Sequence, residues 1–169
     1  MTGEAFTVWS VRAATLLYVA ALAFWLATRS PAGQRTARLA WTAGCLFYLA
    51  HVYGAFQYFH GWSHAAAHAE TARQSAELFG VAWGGGLYFN YAFTIVWVAD
   101  VIWCWRGMEH YERRPRWITV VVHTFLAFMF FNGTVVFASG VSRWLGVIAA
   151  PVLLFLWSRS RASLRTARL

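Results

Sequence analysis

Lysine is absent from this chain of 169 residues, and all 14 basic side chains are arginine. A retinal Schiff base forms on a lysine amine, and a P-loop needs its lysine at the nucleotide phosphates, so both are out. Charge of either sign is scarce, at 12% of residues. A soluble domain carries roughly twice that share. Cysteine is nearly absent: Cys45 and Cys104 stand outside any CxxC or CxxCH context. A thiol redox pair or a covalent c-type haem is not supported, and both thiols read as small core residues at different depths. No HExxH or GxSxG motif occurs, and six histidines are too few for the eight-histidine pattern of membrane di-iron desaturases.

What remains is 60% hydrophobic and 19% aromatic. Apolar runs near the length of a bilayer crossing recur, so hydrocarbon is the expected solvent. The fold class expected is all-α, a polytopic helix bundle forming one membrane domain over residues 1–169. Five spans are expected, at 8–28, 39–59, 81–105, 117–138 and 144–157. Arg12 near the start of the first can snorkel. Arg29 directly follows that segment's apolar core, which favours a retained span over a cleaved signal peptide. The fifth is short and holds Pro151, so it reads as a tilted crossing or a shallow re-entrant piece. Glycines 84–86 open the third span as a close-packing or unwound start.

Arginines in successive flanks number one, three, one, four, one and four. The positive-inside rule then puts the N-terminus outside and the C-terminus in the cytoplasm, in a bacterial inner membrane. The partners expected are the bilayer, anionic lipid at the cytoplasmic arginines, and a homo-oligomer or larger membrane complex. The net charge of +8 reflects these topology anchors rather than nucleic-acid binding. Most of the eleven tryptophans fall near span ends as an aromatic belt, with Trp41 and Trp97 inside as packing residues.

The segment 63–79 is helical in composition but too polar to cross, and it reads as an outer polar helix. His60, His64 and His68 recur at intervals of four, and Tyr53 and Gln57 extend the stripe backwards. It either continues the second span or follows a break at Gly61. Two histidines at i and i+4 can share one copper or zinc ion. Three cannot, because the outer two lie about 12 Å apart along a helix. Imidazoles beside hydrocarbon mark ligands, protons or metals, and a metal-binding outer site follows as the leading expectation. A wetted interfacial face and a non-catalytic accessory subunit of a membrane complex are its rivals.

Depth counted inward from the cytoplasmic arginines gives two polar layers. Asp100 lies six residues from Arg106 and His123 seven from Arg116, as an expected Asp–His pair. Asn90 and Asn132 each lie sixteen residues in, with Gln57 and His60 near the same level. The bland reading of the asparagines is interhelical hydrogen bonding. His51 near mid-membrane and His123 are the pair available for axial ligation of a b-type haem, though their levels differ. On ideal helices His51 and His60, and His123 and Asn132, point half a turn apart, so either two sites exist or one face of each helix is structural. His110 reads as a solvated loop residue.

Overall fold

The chain begins its first helix where Thr2 accepts a hydrogen bond from the Ala5 amide at 3.3 Å. The computed structural model describes residues 2–28, 30–107, 111 and 113–166, with the backbone alone at 157 and 159–166. His110 lies outside the described residues. Helix α1 spans Gly3–Ala27. Ser30 caps α2, Pro31–Ala55, by accepting from the Gly33 amide, and Pro31 supplies the fixed φ that suits a first helical position. The apolar pattern locates the span at 39–59, but the cap starts the helix eight residues earlier.

Helix α2 then widens into a π-helical segment, Phe56–His60. The chain reverses at Gly61 and Trp62, both left-handed with φ of 53° and 58°. Trp62 donates its amide to the Phe56 carbonyl at 3.1 Å, which closes the helix end. Ser63 caps the polar helix α3, His64–Phe79, and Gly80 ends it at φ 73°. The break at Gly61 is therefore real, and the four-residue spacing of the histidines crosses two helices.

Helix α4, Gly86–Trp105, begins five residues later than the apolar run suggests, because Gly84 and Gly85 form a turn. A Cβ at Gly84 would overlap the His68 ring, and one at Gly86 would meet Thr71 Cγ2 at 3.1 Å. The glycines thus let α3 sit down on the start of α4. Helix α5, Arg116–Phe131, also ends in a π-helical segment, Asn132–Val136. Helix α6 runs Gly140–Thr166 without interruption and carries Pro151 inside it, so residues 144–157 form part of one longer helix.

All described elements are helical. Among the described residues four helices are long and apolar enough to cross a membrane: Gly3–Ala27, Pro31–His60, Gly86–Trp105 and Arg116–Val136. The apolar part of α6, Gly140–Leu156, is shorter. Large side chains such as Leu46, Ile95 and Val121 face outward, as suits a hydrocarbon solvent.

Helices α1 and α2 pack along their lengths as a hairpin, and α4 closes on them at Gly44, where a Cβ would lie 3.3 Å from both Leu17 and Trp97. The core consists of Tyr18, Ala21, Trp41, Cys45, Phe93, Trp97 and Leu126. Trp41 and Trp97 meet at 5.2 Å between ring centroids, and Tyr18 stacks on Phe130 at 4.2 Å. In lipid the burial of area gives little drive, so close ring packing and polar bonds carry the association. Both cysteines are buried and free.

Candidate functional site

The bundle has one end that carries α3 and one that carries the 107–115 loop. A polar group is built at each. At the loop end, Asp100 is placed by α4 with its side chain 2% exposed. It accepts hydrogen bonds from Trp41 Nε1 at 3.0 Å, Tyr111 Oη at 2.9 Å and Arg114 Nη1 at 2.5 Å. Arg114 comes from the loop, and its side chain is equally buried. It also donates to Thr119 Oγ1 at 2.9 Å, to Tyr111 Oη at 3.1 Å and to His123 Nε2 at 2.9 Å. Its guanidinium lies 4.1 Å from the Tyr111 ring centroid. A guanidinium has only donors, so His123 Nε2 accepts and this histidine is neutral with its proton on Nδ1.

The equal depth of Asp100 and His123 is therefore matched by a shared partner rather than a direct pair. Arg114 stands between them. The sequence reading missed Arg114, Tyr111 and the indole of Trp41. The signal was available in principle: Asp100 is the only aspartate in the chain, and a carboxylate inside a span calls for a cation.

At the α3 end lies a cavity of about 860 Å³. Its wall is mostly apolar, with Phe93, Phe128, Met129 and Trp97 among the lining residues. His51, His60, Glu70, Gln74, Asn90 and Asn132 supply polar groups to the same wall. Both π-helical segments border it, through Phe56 and His60 on one side and Asn132, Gly133 and Thr134 on the other.

The π turn also explains why His51 and His60 share the cavity. Nine residues of ideal α-helix would set them half a turn apart. A π residue advances the chain through a smaller angle, and the widened turn brings His60 round toward His51. His123 and Asn132, by contrast, belong to different groups, His123 in the middle of α5 and Asn132 just beyond its end.

Of the expected upper layer, His60, Asn90 and Asn132 reach the cavity wall. Gln57 does not line it and accepts instead from Trp62 Nε1 at 2.9 Å. Asn132 donates to the Phe128 carbonyl of its own helix at 2.8 Å, so interhelical bonding is not its role. His51 Nδ1 lies 2.9 Å from the Thr7 carbonyl and must donate to it, which leaves Nε2 as the free nitrogen.

The histidine stripe divides at Gly61. His60 stays on the cavity, while His64 and His68 pack on α4, with His64 Nδ1 3.1 Å from Tyr91 Oη and the His68 ring 6.2 Å from Tyr88. The His64 and His68 rings lie 6.3 Å apart. Among the described residues no group of three or more His, Cys, Asp or Glu side chains is placed to hold a metal ion. His51 and His123, the pair considered for haem, are joined through Tyr48, Trp97 and Trp41, whose rings stand in series between them.

Outside the spans, Arg73 bonds Glu70 through Nε at 2.8 Å and also pairs with Glu77. The hydrogen bond from Arg73 holds the Glu70 carboxyl down to about 2 from its usual 4.5; partial burial opposes this and Gln74 assists it. Burial pushes the Tyr111 hydroxyl well above the usual phenol range, and the Asp100 charge adds to the effect.

The chain matches no protein-family model, no curated protein and no solved structure. The described residues form an all-helical protein in which four helices are long and apolar enough to cross a membrane.

Proposed function

We propose that this is an integral membrane protein that binds an apolar small molecule with a polar head in the cavity at the α3 end. The observation that carries this reading is the convergence of both π-helical segments on that one cavity, since π turns inside α-helices cluster at functional sites. The chemistry of the wall supports it, because pockets for such ligands are largely apolar with a few convergent polar groups. His51 Nε2, His60, Gln74 and Asn90 would orient the head. Trp97, which lines the cavity, has a buried indole nitrogen without an acceptor among the described residues, so a ligand acceptor would be welcome there. The arginine alternation places this end outside and the 107–115 loop in the cytoplasm, with α6 as a fifth crossing. A copper or zinc ion at His64 and His68 would need further ligands other than His, Cys, Asp or Glu among the described residues.

Gly133 offers the test. It lines the cavity, and a Cβ there would meet nothing within 4 Å. Gly133→Leu should fill ligand space at little cost to the fold. Protein purified in mild detergent and extracted into organic solvent should release a lipophilic compound near stoichiometry, detected by mass spectrometry. The variant should release about tenfold less at nearly the same unfolding temperature, because a blocked pocket loses contact energy of order 1–3 kcal/mol. Equal recovery from both proteins, or none from either, would end the proposal.

A further inference from the structure

A second cleft lies between α1, α5 and α6, with a volume of about 310 Å³. Leu22 and Leu26 of α1, Phe131 of α5, and Ala150, Leu153 and Leu154 of α6 line it. Among the described residues no charged side chain lines it. Thr134, one of its two hydroxyl-bearing residues, satisfies its own hydroxyl on the Phe130 carbonyl at 2.7 Å.

What stands at one end of this cleft is of opposite character. Arg12 precedes Leu22 and Leu26 on α1, and Arg143 precedes Ala150 and Leu153 on α6. Arg12 Nε donates to Ser142 Oγ at 3.3 Å, which joins the two helices there and ties its guanidinium beside Arg143 in sequence. The Arg12 guanidinium carbon lies 5.0 Å from the Trp9 ring centroid. Arg143 donates to the Ala138 carbonyl at 2.9 Å and reaches the Val136 carbonyl at 3.5 Å. Neither arginine has a carboxylate in salt-bridge range among the described residues, whose ion pairs go to Arg73 and Arg114. Arg12 is only half exposed, and it sits nine residues into α1, about 14 Å along the axis from Gly3. A guanidinium at such a position without a counter-charge is costly in a bilayer.

Two cations without protein counter-ions above an apolar cleft present the complement of a phospholipid. We propose that a phospholipid occupies this place, its phosphate between Arg12 and Arg143 and one acyl chain in the cleft between α1, α5 and α6. Arginine suits the role because the Nη donors not used on Ser142, Ala138 and Val136 can make charge-assisted bonds to phosphate oxygens. The cleft meets the larger cavity at Phe130 and Thr134 but differs in chemistry, since the polar groups of that cavity are histidine, amide and carboxylate.

Native mass spectrometry of the full chain from a nonionic detergent tests this directly. The probes are a phosphatidylglycerol, a diacylglycerol with the same chains, and inorganic phosphate. Phosphatidylglycerol should bind one per chain and survive gas-phase activation. The diacylglycerol should bind at least about tenfold more weakly, because it lacks the charge-assisted bonds. Inorganic phosphate should neither bind measurably nor displace the lipid. Arg12→Gln with Arg143→Gln should lower phosphatidylglycerol occupancy about tenfold, and Ala150→Phe should lower it by blocking the chain. Arg143→Gln alone lies on an exposed side chain and leaves the fold intact, so a several-fold loss in that variant carries the test if the double variant does not fold. Unchanged occupancy in both Arg143→Gln and Ala150→Phe would overturn the proposal. So would displacement of the lipid by inorganic phosphate, which would mark a free-anion site.

Discussion

The loop end and the α3 end solve the same problem, polar groups inside a helical bundle, in opposite ways. At the loop end the Asp100–Arg114 network is satisfied by protein, while Arg38 Nε, whose guanidinium lies over the Trp105 ring, stands outside it. Asp100 takes three donors, and Arg114 bonds four residues drawn from a loop and two helices. The network ties α2, α4 and α5 to Tyr111 and Arg114 and closes on itself. At the α3 end no shared network forms: Arg73 pairs within α3, Asn132 bonds within its own helix, and the contacts between helices are single bonds, His51 to Thr7 and His64 to Tyr91. What remains unpaired there faces a cavity. The contrast separates a closure, made of charge and hydrogen bonds, from a receptacle, made of shape and spare polar atoms.

Breaking the closure should produce the largest loss. Arg114→Met strands the Asp100 carboxylate without its cation and also removes the donor to His123. Removing one partner of a buried pair costs about 3–5 kcal/mol. Asp100→Leu combined with Arg114→Met should recover part of this, since no orphaned charge is left. Reversible unfolding in mixed micelles measures both. A loss below about 1 kcal/mol in the single variant would mean that the loop end is no more tightly bound than the other. Ligand recovered from the cavity should change only as far as the fold does.

Much of this contrast could be read from the chain before its structure. Arginines served as depth marks, and counting from them put Asp100 level with His123 and Asn90 level with Asn132. Lipid forces backbone pairing within each span, so length and apolar pattern gave five spans, and four of them fall on described helices long and apolar enough to cross. Three features resisted. Arg114 sits among Arg113 and Arg116, and nothing in a flank of like charges says which one turns inward. The π segment at Phe56–His60 adds no proline or glycine within itself, so an ideal-helix projection put His60 on the wrong face relative to His51. The four-residue rhythm of the histidines runs through Gly61 and Trp62 as if the chain were straight there, although both residues adopt positive φ.

That turn sharpens the comparison from the other side. At Gly61 φ is 53°, and a Cβ would meet nothing within 4 Å. Gly61→Ala therefore costs only the backbone penalty of the left-handed region, about 1 kcal/mol. The loss should be confined to α3 and the end of α2. Hydrogen exchange should speed up in Ala65–Ala72 while amides around Trp103 keep their protection. Equal acceleration at both ends would show that the two regions unfold as one unit and that the division drawn here is only geometric.

The smallest effect expected is acidification at the α3 end. The carboxyl of Glu70 is held down to about 2, chiefly by the hydrogen bond from Arg73. A carboxyl with a depressed folded value gives stability that is fully present above its unfolded value near 4.5 and is lost as pH falls toward 2. Both side chains are substantially exposed, at 57% for Arg73 and 34% for Glu70, so solvent screens the pair. Lowering the pH from 5 to 2.5 should raise the opening equilibrium of α3 a few-fold at most, with intrinsic exchange rates factored out. Added salt should shrink the change. Arg73→Gln removes the partner and should flatten the dependence, leaving α3 equally labile at both pH values. The buried Asp100–Arg114 network, shielded from the same screening, should show no salt dependence over this range. A salt response larger at the loop end than at α3 would reverse the assignment of which end is closed and which is open to solvent and ligand.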